Sequence, residues 1–258
     1  VDRNCRDRMV FQHAIDPDSV RVLTNPIDLA RFRRRGPLPP KPRRALVFSN
    51  LATENTFVAP IRAACAERGI SVDVAGWASG NVIDPEEALS KYDLVFGKAR
   101  CAIEAAAAGA AVIGCDHLGM SGMVTTARLE ALRELNFGIR TLQFPVTKEN
   151  LLREIDRYDP ADAALVAERI RAANSSELLA EQLIAVYEEI MAEPMEVSPR
   201  EDLNGIVSTL GETARRLYGQ MNTGTTTRSM RLRTALLNSK ALAVPVRLAW
   251  RLKKRLQR

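Results

Sequence analysis

Apolar and polar positions alternate with two different spacings along the first three quarters of the chain. Short apolar runs at 45–48, 72–75, 94–96 and 110–113 are bounded by polar or glycine-bearing turns and read as buried strands. Between them the apolar residues recur every three or four positions, as with Phe57, Val58, Ile61, Ala64 and Cys65 across 56–68. Pro85 suits the first turn of a helix over 85–92, and 101–108 is a small-residue helix. Gly69 and Gly109 stand where glycine ends a helix. Further helices are expected over 125–135, 147–158, 159–173 and 175–191, a surface helix over 1–15 with His13 near its end, and strands at 20–23 and 139–144. Strands alternating with helices predict an α/β fold with a parallel sheet flanked by helices.

The segment 93–124 organises this pattern. It reads as strand, polar turn, helix, strand and glycine-containing loop, a compact crossover between parallel strands. The loops that follow the two strands fall at the carboxyl edge of the sheet, where open α/β sheets bind ligands. Lys98 and Arg100 lie at the expected helix N-terminus, which favours an anion such as a diphosphate, although two solvated cations fit the pattern equally. Glu104 lies one turn inside, among alanines. It suits the two hydroxyls of a ribose, and a solvated helix glutamate has the same spacing. His117 is a second site candidate at a strand exit, or a simple turn residue. Upstream, Ser49, Asn50 and Thr53 form a polar strand exit that offers donors to a phosphate or caps the next helix.

The run E-A-A-A-A-G-A-A-V-I at 104–113 resembles the E-A-x-A-x-G-x-P-V-I segment of GT-B glycosyltransferases, the family 4 group in particular. Val22, Asn25, Ile27, Asp28 and Phe32 are similar to the V-x-x-N-x-V-D-x-x-x-F stretch that opens their donor domain. The resemblance covers roughly 1–192. It implies a Rossmann-like nucleotide-sugar-binding domain, the C-terminal half of a GT-B fold, in which Glu104 holds the donor ribose. It places Trp77 near the nucleotide base, where a core tryptophan is the other reading, and brings Gly119 and Gly122 close to phosphate or sugar. It implies no metal and no cofactor, the nucleotide-sugar being a substrate. The activity implied is transfer of a sugar from a nucleotide-diphospho-sugar to a glycan or lipid-linked acceptor. A non-catalytic binding protein and a GT-B-like sugar-nucleotide epimerase are the alternatives. Three departures stand out. Phe96 occupies the place of a second family glutamate, 119–124 replaces the usual glycine pair with its glutamate, and 49–55 lacks the usual cation pair.

Charge divides the chain. Residues 228–258 hold ten Lys/Arg and no acid, more than the net charge of +6, so the remainder is net acidic. Leucines and Trp250 interleave with these cations, which suits an anionic membrane surface or docking onto a further domain. The expected organisation is a Rossmann-like domain at 1–193, a linker with a short helix at 194–227 and a basic amphipathic tail at 228–258. The basic, proline-rich 31–44 has one aromatic, Phe32, and reads as a solvated loop, so nucleic acid is a poor partner. Cys5, Cys65, Cys101 and Cys115 show no C-x-x-C spacing, which favours reduced thiols and a cytoplasmic chain, peripheral at the inner face of the plasma membrane. The chain opens without methionine, and the resemblance covers only the donor half, so the expectation is that the acceptor half was lost, the start is misplaced or the chain is a fragment.

Overall fold

The computed structural model describes residues 2–13, 15–192 and 199–222. The chain divides into two compact units, Val1–Ala192 and Glu193–Arg258. The first is an α/β layer structure. Its five-stranded sheet has the order β2-β1-β3-β4-β5, from Arg44–Phe48 (β1), Ser71–Ala75 (β2), Leu94–Gly97 (β3), Ala111–Asp116 (β4) and Gly119–Met123 (β5). β1 to β4 run parallel, and β5 returns antiparallel to β4. The helices are Arg3–His13 (α1), Ala59–Glu67 (α2), Pro85–Ala88 (α3), Arg100–Ala107 (α4), Leu129–Glu134 (α5), Lys148–Ile155 (α6), Pro160–Ala173 (α7) and Ser176–Ala192 (α8).

Alternation along the strands builds two cores, one on each face of the sheet. Leu46, Val95 and Val112 face α4, α5 and α7, while Val47, Phe96 and Ile113 face α2 and α6. All six are at most 1% exposed. Burial of each large side chain contributes roughly 1.5–3 kcal/mol. The alanines of α4 let it lie close to the sheet, and α4 packs against α7. Local sequence sets the helix ends. Thr53 and Thr56 make a reciprocal capping box before α2, which begins after a π turn at Glu54–Val58. The Thr147 hydroxyl accepts from the Asn150 amide to cap α6, and Asp159 accepts from the Ala161 and Asp162 amides to cap α7. Gly109 ends α4 at φ +91°, a conformation side chains disfavour.

Several expected elements differ. The 20–23 run is not a strand: it finds no ladder partner, and the first bridge nearby is Ile27 with Ser175. The family-like residues around it shape that turn. The Asp28 carboxylate accepts from the Ala30 and Arg31 amides, and Phe32 is buried. The 31–44 loop is therefore more than a solvated connector. Arg35 crosses to the buried Asp93, which also accepts from the Arg43 and Arg44 amides at the amino edge of the sheet. The expected strand at 139–144 is a single turn, Ile139–Thr141, followed by one bridge from Phe144 to Met120. The helix over 125–135 shortens to α5. The loop after β4 is instead a hairpin, with β5 laid back on β4.

In the second unit, Pro199–Asn222 form a 24-residue helix (α9) inside the segment read as a linker. The basic stretch 228–258 lies outside the described residues. Among the described residues no helix is long and apolar enough to cross a membrane.

Candidate functional site

The carboxyl ends of β1 to β4 share one edge of the sheet. β3 and β4 finish side by side, with Gly97 paired to Gly114. From Gly97 the chain enters α4 through only Lys98 and Ala99. The approach is close: a Cβ on Gly97 would lie 3.2 Å from the Phe48 carbonyl oxygen. Ala99 takes φ +49°, ψ −128°, a conformation that costs a non-glycine residue of order 1–3 kcal/mol. Its amide donates to the Phe137 carbonyl at 2.8 Å, which ties the turn to another left-handed residue, Phe137 at φ +50°.

One turn later Glu104 is 6% exposed, so the solvated-glutamate reading fails. The Arg100 Nε–H donates to its Oε1 at 2.7 Å, while the Arg100 side chain itself remains 72% exposed. Burial pushes the Glu104 carboxyl above its ordinary range; Arg100 opposes this, and the nearby Glu86 of α3 adds to it. The cation expected at a diphosphate is thus committed to the carboxylate expected at a ribose.

Beside this helix stands a second cluster. Asp116, the last residue of β4, is 0% exposed. Its Oδ2 is ion-paired with the Lys98 ammonium. Its Oδ1 takes the His117 amide at 2.6 Å and lies 2.8 Å from the His117 Nδ1. Burial alone would raise the Asp116 carboxyl, but Lys98 and His117 hold it below the ordinary carboxylate range.

Asn50 and Trp77 meet over the exits of β1 and β2. The Asn50 Oδ1 accepts from the Trp77 amide at 3.2 Å, and its carbonyl accepts from the Ala78 amide at 3.1 Å. The Trp77 side chain is on the surface, the residue being 81% exposed, which removes the core reading. Thr53 serves as the helix cap. Gly119 and Gly122 do not lie open to a ligand. A Cβ on Gly119 would stand 2.9 Å from the Phe144 carbonyl oxygen, and one on Gly122 would stand 2.6 Å from the Glu154 Oε2. The expected close approach at these glycines is taken by the protein itself.

The structure therefore gathers Lys98, Arg100, Glu104 and His117 at the β3 and β4 exits, sets Asn50 and Trp77 on the same sheet edge, and encloses Gly119 and Gly122. Sequence reasoning missed Asp116 and Glu154. Glu154 is buried on α6, accepts from the Met123 amide at 2.8 Å and faces β5. A signal existed, because Leu151, Glu154 and Ile155 share the buried stripe of α6. Nothing local marks Asp116 as the shared partner of residues on two strands.

Among the described residues, surface cavities lie apart from this cluster. One of about 480 Å³ is lined by Arg34, Arg35, Gly109 and Pro160 at the opposite edge of the sheet. Another of about 420 Å³ lies along β2, lined by Thr53, Arg62, Asp73 and Asn81. Among the described residues, no three His, Cys, Asp or Glu side chains are grouped to hold a metal ion. All four thiols are free, and burial pushes those of Cys65 and Cys101 up to about 12.

The sequence matches no protein-family model and no curated protein. In structure the chain is similar to a glycosyltransferase from Rickettsia africae ESF-5, with a TM-score of 0.54 at 14% sequence identity. At that identity the likeness is one of fold, a Rossmann-like α/β arrangement. The likeness covers 75% of this chain and 63% of that one, so the chain spans less than two thirds of the length of its structural neighbour. In this chain the fold is a mostly parallel five-stranded sheet with helices on both faces.

Proposed function

We propose that residues 1–193 are the nucleotide-sugar-binding half of a GT-B glycosyltransferase resembling family 4. The reaction moves a sugar from a nucleotide-diphospho-sugar to a glycan or lipid-linked acceptor. The observation that carries this reading is Glu104: a carboxylate buried one turn behind the β3 exit, in a helix of small residues, at the edge where parallel sheets take nucleotides. Ionised and oriented by Arg100, it accepts hydrogen bonds from both ribose hydroxyls. Trp77, exposed over the neighbouring loops, stacks on the base, and Asn50 holds the Trp77 loop in place.

In the transfer, the bond from the anomeric carbon to the diphosphate oxygen breaks and the electron pair leaves with the diphosphate. The acceptor oxygen forms the new bond and loses its proton to a base outside these residues. Cations near the β3 and β4 exits stabilise the leaving charge without a metal. The basic stretch 228–258 holds the enzyme against an anionic membrane surface, where a lipid-linked acceptor lies. A binding protein without turnover is the second reading. It is favoured by Phe96, which stands fully buried where the family carries a glutamate.

The test is thermal unfolding of the chain with UDP, GDP, ADP or CMP, with Glu104→Ala in parallel. A ligand at about one hundred times its Kd adds roughly 2.7 kcal/mol of stability. The expected result is a shift with one nucleotide that disappears in Glu104→Ala. Wild-type protein that shifts with none of the four would overturn the donor-site reading.

A further inference from the structure

Asp116 is the most buried charged side chain among the described residues, and its two oxygens serve groups from two strand exits. Lys98 leaves β3 one residue after Gly97, and Asp116 leaves β4 two residues after its partner Gly114. One carboxylate oxygen holds the Lys98 ammonium, and the other holds the ring and amide of His117. An ionised carboxylate only accepts, so the His117 Nδ1 carries the hydrogen between them. That leaves Nε2 and two ammonium hydrogens of Lys98 with no partner among the described residues. Both side chains are part exposed, at 31% for Lys98 and 35% for His117, so their outer faces reach solvent while the carboxylate does not.

The surroundings favour a role beyond packing. A buried carboxylate costs stability unless its partners repay the desolvation, and an apolar residue would fill the same space more cheaply. The adjoining Ala99 turn is strained, as backbone at functional sites often is. Arg100, the other cation nearby, is held by Glu104.

We propose that Asp116 is a positioning residue that fixes Lys98 and His117 as a paired cation for the diphosphate of the donor, with His117 taking a proton on Nε2 as the anion binds. The proposal rests on the donor-binding reading above and names the groups that receive its leaving group. Bound, the diphosphate accepts from Lys98 and from the imidazolium Nε2–H, and the anion itself favours the charged ring. The charged and titratable groups around Lys98 and His117 are Asp116, the Arg100–Glu104 pair and Cys101 of α4, whose thiol feels Glu104, Arg100 and Asp116 and stays protonated.

Histidine-selective ¹⁵N NMR tests this directly, because the chain has only His13 and His117. In the wild-type full chain near neutral pH, His117 should carry its proton on Nδ1. Inorganic pyrophosphate should convert it to the doubly protonated ring. Asp116→Asn, whose neutral amide oxygen is a weaker acceptor, should reduce the Nδ1 preference and weaken pyrophosphate about tenfold, the loss of roughly one charge-assisted hydrogen bond. Lys98→Met, at a part-exposed side chain, leaves Asp116 to His117 alone; it should keep the Nδ1 proton yet weaken pyrophosphate to a similar extent, so it decides the matter if Asp116→Asn does not fold. Glu104→Ala should leave pyrophosphate binding intact and weaken only nucleoside diphosphates. Wild type that fails to bind pyrophosphate, or binds it without moving either His117 nitrogen, overturns the clamp. So does unchanged affinity in Lys98→Met. Pyrophosphate binding that no nucleoside improves instead overturns the donor reading and leaves the clamp standing.

Discussion

Arg100 and Glu104 are each other's partner: the guanidinium Nε–H donates to the carboxylate at 2.7 Å across one turn of α4. The carboxylate is buried and the arginine is largely in water, so the pair orients Glu104 while leaving it partly desolvated. Such an arrangement trades stability for a poised hydrogen-bond acceptor.

That trade has a sign with pH. The folded Glu104 carboxyl titrates above its ordinary 4.5, chiefly because it is buried. Its contribution is fully present below that ordinary value and is lost as pH rises through the folded value. Glu104→Gln, which cannot ionise, should be at least as stable as wild type at pH 7, and this advantage should shrink towards pH 4. Urea unfolding at the two pH values measures this. Nucleotide affinity should move the other way, falling about tenfold with the loss of a charged acceptor.

Asp116 has the opposite sign. Lys98 and His117 overcome its burial and hold its folded value below the ordinary 3.8. Its contribution is present above 3.8 and is lost as pH falls through the folded value. Asp116→Asn should therefore flatten the most acidic part of the stability curve, below about pH 4. At pH 7 it should cost roughly 2–3 kcal/mol, because Lys98 loses its buried counter-charge. Thermal unfolding as a function of pH gives both quantities.

Ala99 offers a backbone test. At φ +49° a glycine fits without penalty, so Ala99→Gly should stabilise the chain by roughly 0.5–1 kcal/mol. Ala99→Val, β-branched in the same turn, should cost about 2 kcal/mol. Equal melting temperatures for the three proteins would argue against strain at this turn.

Gly119 and Gly122 separate scaffold from ligand contact. Gly122 has φ +87° and would place a methyl 2.6 Å from the Glu154 Oε2; Gly119 has φ +149° and faces the Phe144 carbonyl. Alanine at either position should cost about 2–3 kcal/mol. The folded fraction should bind nucleotide with wild-type affinity, as isothermal titration below the melting temperature would record.

Trp77 is the reverse case. Being 81% exposed, it should tolerate alanine within about 0.5 kcal/mol of stability. Loss of a stacking face should weaken a nucleotide by roughly 1–3 kcal/mol. Fluorescence quenching on nucleotide addition should persist in Trp250→Phe and vanish in Trp77→Ala, the chain having these two tryptophans.

Local sequence carries the layered fold because its signals need no distant partner. The apolar runs that became β1 to β4, the Thr53, Thr147 and Asp159 caps and the Gly109 stop all act within a turn or two of themselves. Glu104 stands out as one charge among small apolar residues, but its spacing equally fits a solvated helix glutamate; the resemblance of 104–113 singles it out, and its burial comes only with the packed fold. The 20–23 run shows the limit of such signals: it is apolar enough for a strand, but a strand exists only where another offers its backbone, and here none does. Tertiary structure alone turned the glycine-rich 119–123 into a hairpin strand, because β4 supplied the ladder its propensity lacks. It also gave Gly119 and Gly122 to Phe144 and Glu154. The same cause joins Lys98 to Asp116 across eighteen positions: parallel strands bring their ends together only after the helix between them has crossed the sheet, and no pattern within either segment records that meeting.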